Sequence, residues 1–79
     1  MKDECIPIKE ELEKYEVALK ALEAVKKTIN DIKSNVPRTA EYYLNATLDN
    51  LKYTMENIEK EIKVLLYRLY RNNCIEMNI

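Results

Sequence analysis

The 79 residues suffice for one small domain, and a composition of 47% hydrophobic and 34% charged residues is too apolar for a disordered tail yet charged enough for a wet surface. The net charge of −1 gives no general attraction to polyanions, and without histidine the chain lacks the side chain that titrates near neutrality and the commonest nitrogen ligand for metals. Glycine is absent too, which removes the residue that tight β-turns, phosphate-cradling loops and dinucleotide-binding turns rely on, so an all-helical chain is the natural expectation.

The N-terminal segment MKDECIPIKEE carries acidic residues where a signal peptide would have a basic start and an apolar stretch. No apolar run approaches the roughly 18 residues of a membrane span. A cytoplasmic protein is therefore expected, with residues 1–6 as a loose tail. From Pro7 a heptad can be counted: Ile8, Tyr15, Leu22, Ile29 and Val36 recur at one position, and Glu11, Ala18, Val25 and Ile32 at its partner. Leu12 and Leu19 widen this stripe. The spacing is that of a seam between nearly parallel or antiparallel helices. Pro7 suits a first helical turn, and Glu10 and Glu11 complement the positive end of the dipole. The first helix is predicted over residues 7–34.

The pattern stops at SNVPRT, with a turn at 35–37. Pro37 cannot donate a helical hydrogen bond and biases Val36 away from the α region. Asn35 is a candidate for the left-handed residue that closes the first helix, and Thr39 for the cap of the second. A reversal of direction is expected in place of a kinked continuous helix. The second helix, predicted over 38–73, carries an unbroken seam of Leu44, Leu48, Leu51, Met55, Ile58, Ile62, Leu65 and Leu69. Residues 74–79 form the second tail. Five glutamates precede a lysine by four residues (Glu10–Lys14, Glu16–Lys20, Glu23–Lys27, Glu56–Lys60, Glu59–Lys63). That order favours helix by roughly 0.2–0.5 kcal/mol each, and the charges read as a solvated face.

The fold class is thus all-α, an antiparallel two-helix hairpin in a single domain. Two helices shield only the line along which they touch, and small chains of this kind are marginal alone. A homodimer, two hairpins forming a four-helix bundle, is the expected solution. The unequal helix lengths place LLYRLYRNNC (65–74) as an overhang beyond the start of the first helix, too apolar all round for one neighbour to cover. Leu66, Tyr67, Arg68, Leu69, Tyr70 and Arg71 are the candidate interaction surface. It packs on the second protomer, docks an unidentified protein partner through its tyrosine and arginine side chains, or lies on a membrane surface, the last disfavoured by the short apolar stretch.

Cys5 and Cys74 come to similar heights in an antiparallel hairpin, so a disulfide clipping both termini is one expectation. Two free thiols in a reducing cytosol are the preferred reading, since intracellular disulfides are rare outside hyperthermophiles, and a bridge between chains is a third. No catalytic, cofactor-binding or metal site is predicted: most carboxylates occupy exposed positions paired with lysine, and two cysteines without histidine leave a tetrahedral zinc set incomplete. Glu11 interrupts the seam and is expected to reach water. Asn45-Ala46-Thr47 matches a glycosylation acceptor but falls inside a predicted helix. Lys60, Lys63, Arg68 and Arg71 with Tyr67 and Tyr70 make the end of the second helix basic and aromatic, which is how single strands can be held. Nearby glutamates dilute the patch, and nucleic acid is the alternative partner, not the expected one.

The two heptad runs IKEELEKYEVALKALEAVKKTINDI and LNATLDNLKYTMENIEKEIKVLLYRL, joined by KSNVPRT, resemble in layout the small helical-hairpin proteins of plasmids and archaeal viruses that dimerise into four-helix bundles. The resemblance covers residues 7–73 and is architectural. It implies a non-enzymatic adaptor or interaction protein acting as a homo-oligomer. The plasmid Rop type binds paired RNA hairpins, which gives a small nucleic-acid-binding regulator as the alternative. No short functional motif is shared, and no residue role is carried over.

Overall fold

The structure, a computed structural model, describes residues 4–75. Two helices run antiparallel: α1, Cys5–Ile32, extended by a 3-10 turn at Lys33–Asn35, and α2, Arg38–Arg71. Their packing gives a rod of 55 × 19 × 18 Å. Val36 is extended (φ −118°, ψ 161°) and Pro37 takes φ −57°, ψ 151°, the conformations a proline imposes on itself and its predecessor. The chain therefore reverses at Pro37 as expected.

The ends differ in detail. α1 starts two residues before Pro7, which occupies the third helical position, still within the first turn where its missing N–H has no partner to lose. Glu10 and Glu11 consequently lie beyond the first turn. Asn35 belongs to the 3-10 turn and takes no left-handed conformation, and α2 is capped at Pro37 without a side-chain bond from Thr39. Glu41 in the first turn of α2 and Arg68 and Arg71 in its last turn complement the helix dipole.

The seam of α2 is the one the sequence sets out, with Met55, Leu65 and Leu69 buried and Leu44, Leu48, Leu51, Ile58 and Ile62 half-buried. On α1 the register is corrected. Ile8, Leu12 and Ile29 are buried, and Tyr15, Leu19 and Leu22 half-buried, whereas Glu11, Val25 and Ile32 are exposed. Leu12 and Leu19 are the companions of the Ile8–Ile29 row, because turning α1 toward them buries leucines and leaves the Glu11 carboxylate in water.

The second correction concerns the overhang. Among the described residues Leu65 and Leu69 are the largest fully buried side chains, at 2% and 1% exposure, in a cluster with Ile8 and Leu12 that Tyr15, Ile62, Cys74 and Ile75 complete. α1 begins early enough, and its 3-10 turn adds enough length, for it to cover the end of α2. Leu69 is thus hairpin core and leaves the candidate surface. Leu65→Ala or Leu69→Ala is expected to cost about 2–4 kcal/mol, against less than about 0.5 kcal/mol for the exposed Val17→Ala, measured by urea unfolding followed by circular dichroism.

Candidate interaction surface and terminal clip

The end of α2 is shaped by its C-terminal cap. Asn73 has φ 58°, the left-handed conformation usually given to glycine and most accessible, among other residues, to asparagine. With it, the Asn73 amide donates to the Tyr70 carbonyl (3.1 Å) and the Cys74 amide to the Leu69 carbonyl (2.8 Å). These two bonds define a Schellman cap. The motif folds the chain back so that Cys74 and Ile75 lie against Leu69 and the open end of the hairpin. Cys5, in the first turn of α1, is buried beside them and bonded to Cys74, with Cα atoms 5.8 Å apart. The structure corrects the preference for two free thiols: the bridge is intramolecular, because the Schellman turn brings Cys74 back to the height of Cys5.

Outside this clip, the remaining candidate residues are spread round α2. Leu66 is 37% exposed, Tyr70 46% and Tyr67 54%, and Arg68 and Arg71 are exposed as well. The Arg71 guanidinium carbon lies 5.9 Å from the Tyr67 ring centroid, a contact contributing about 0.5–1 kcal/mol at an exposed site. Val64 and Ile6 add exposed aliphatic area near the same end. The structure thus brings Tyr67 and Arg71 together and turns Leu69 inward.

Among the described residues no polar side chain is buried, and no three of His, Cys, Asp and Glu are grouped to hold a metal ion. The shallow hollow lined by Glu10, Glu13, Lys14 and Val17 has exposed walls and no desolvated group to activate a substrate. No helix among the described residues is long and apolar enough to cross a membrane. Sequence reading passes over Asn73 and Ile75. The signal was available in Asn72-Asn73 directly after a periodic run, since asparagine is the usual substitute for a closing glycine. No protein-family model matches the chain, and none of the curated proteins or solved structures compared with it does so.

Joining residues 69 positions apart removes much of the freedom of the unfolded chain. Loop entropy puts the stabilisation at about 4 kcal/mol, with measured gains often smaller. Reduction, or Cys5→Ser with Cys74→Ser, is expected to lower the melting temperature by more than about 10 °C. Alkylation without reductant followed by mass spectrometry should find no modified cysteine; two modified cysteines would show the bridge to be absent.

Proposed function

We propose that this chain is a non-enzymatic interaction protein of adaptor type, a helical hairpin that works as a homo-oligomeric bundle and offers the exposed end of α2 to a protein partner. One observation carries the reading: the hairpin has more surface than a chain of its size normally leaves in water. Its accessible area is 6401 Å², against about 5,000 Å² for a compact monomer of this mass. Its radius of gyration is 17.2 Å, against about 12 Å for a compact domain of this length. Val17, Val25, Ile32, Val64, Leu66, Tyr67 and Tyr70 are large and exposed. Association is the ordinary way for such a layer to acquire a core on its open side.

The layout suits the dimeric hairpins of plasmids and archaeal viruses. In a cytoplasmic setting, the Cys5–Cys74 bridge is best suited to a cell of the hyperthermophilic kind, whose intracellular proteins keep disulfides.

A nucleic-acid-binding regulator is the second reading, favoured by one feature: Lys60, Lys63, Tyr67, Arg68, Tyr70 and Arg71 are all exposed within the last part of α2. Multi-angle light scattering at several concentrations is expected to give at least twice the chain mass. Lys63→Glu with Arg71→Glu, both exposed and away from the seam, should leave that assembly folded. A low-salt mobility shift with mixed RNA and DNA that this variant abolishes would favour the regulator instead.

A further inference from the structure

The two broad sides of the hairpin differ. On α1, Ala18, Ala21, Val25, Thr28 and Ile32 follow a three–four spacing about a quarter-turn from the seam, at about 100° per residue. On α2, Tyr43, Thr47, Asn50, Thr54 and Asn57 follow the same spacing, a quarter-turn from the seam in the same numerical sense. Because the helices are antiparallel, that shared sense of rotation carries both stripes to one side. None of these ten residues is charged, and all are exposed except the half-buried Ala18. Glu16, Lys20, Glu23 and Lys27 of α1 and Glu56, Glu59, Lys60 and Lys63 of α2 lie on the other side or round the back.

Two further observations mark the uncharged side. The hydroxyls of Thr28 and Thr47 donate to carbonyls of their own helices, those of Ala24 at 3.0 Å and Tyr43 at 3.1 Å, so neither hydroxyl needs water as its acceptor. The seam beneath this half of the rod is also less closed: Ile29 is buried, but Leu19, Leu22, Leu44, Leu48 and Leu51 are only half-buried, while Leu65 and Leu69 at the clipped end are sealed.

We infer that this uncharged side is the docking surface for a second copy of the chain, laid face to face with both turns at the same end, so that α1 of each copy covers α2 of the other. The inference rests on the self-association proposed above and assigns its interface. A second copy fits for two reasons. The first is area: from Glu11 to Ile32 and from Tyr43 to Arg68 the side is about 35 Å long at helical rise and 19 Å wide. That outline of roughly 650 Å² approaches the roughly 800 Å² each partner contributes to a stable interface. The second is charge. Cys5 with Cys74, Ile8 and Leu12 with Leu65 and Leu69, and Lys33 Nζ with Asn45 Oδ1 (3.4 Å) fix which residues share a height. Followed toward the clipped end, the stripes turn charged: Lys14 and Glu11 on α1, Glu61 and Arg68 on α2. Laying α1 over α2 of a second copy sets Lys14 near Glu61 and Glu11 near Arg68, twice each, within about two residues of level. Reversing one hairpin end for end loses both pairings.

Sedimentation equilibrium of the oxidised chain tests the surface. Ala21→Glu places a charge mid-face in a residue that keeps helix propensity, and is expected to raise the dimer Kd about 100-fold or more. Its far-ultraviolet circular dichroism should stay helical. Leu66→Glu, away from the face, should leave Kd within about threefold. Mixing Lys14→Glu chains with Glu61→Lys chains at low salt tests the orientation: native mass spectrometry should find the mixed dimer well above the proportion given by random pairing. A dimer that Ala21→Glu leaves intact and Leu66→Glu dissociates overturns the inference while sparing the homo-oligomer. No excess of the mixed dimer overturns the turns-together geometry. A chain that stays monomeric at every concentration removes both the interface and the oligomer it belongs to.

Discussion

Two helices side by side exclude water only along the line where they touch, and this limit governs the molecule. Each helix can bury one row of side chains against its neighbour, and the rest of its circumference stays wet unless something else covers it. Among the described residues the buried set is correspondingly thin: Cys5, Ile8, Leu12, Ile29, Met55, Leu65 and Leu69. A chain of this size has little hydrophobic stabilisation to set against the entropy of ordering its backbone. Additional constraint has to come from a covalent link, from association, or from both.

The covalent link sits where the core is densest. The left-handed Asn73 turns the chain out of α2, the Schellman bonds hold it, and Cys74 arrives beside Leu69 and Cys5. The bridge acts mainly on the unfolded chain, whereas the Ile8–Leu12–Leu65–Leu69 cluster acts on the folded one. Both operate at the same end of the rod. The turn half has neither, and there the seam leucines are only half-buried and the uncharged stripes lie together. That asymmetry is why the proposed self-association is centred on the uncharged side, whose stripes lie over the turn half.

The sequence misleads about LLYRLYRNNC for an identifiable reason. Counting residues from the turn treats Pro7 as the start of the first helix and ignores the height gained in the 3-10 turn. Cys5 and Ile6 are helical and add about 3 Å, and the 3-10 turn at Lys33–Asn35, at about 2.0 Å rise, adds about 3 Å over the two helical residues already counted there. The two arms therefore end together. A similar ambiguity affects the first seam, where Glu11–Ala18–Val25–Ile32 and Leu12–Leu19 flank the same Ile8–Ile29 row on opposite sides. Heptad spacing alone cannot rank two flanks of one row; contact with α2 does.

The sequence by itself determined the helical class, the reversal at Pro37, the whole seam of α2 and the possibility that the terminal cysteines meet. These depend on local backbone sterics and on spacing along a single helix, which are written into consecutive residues. Only the tertiary structure decided the rotation of α1, the burial of Leu69, the bonding of Cys5 to Cys74 and the gathering of two uncharged stripes on one side. Each of those depends on how one helix is turned and levelled against the other, a relation between distant residues that no single stretch of the chain contains.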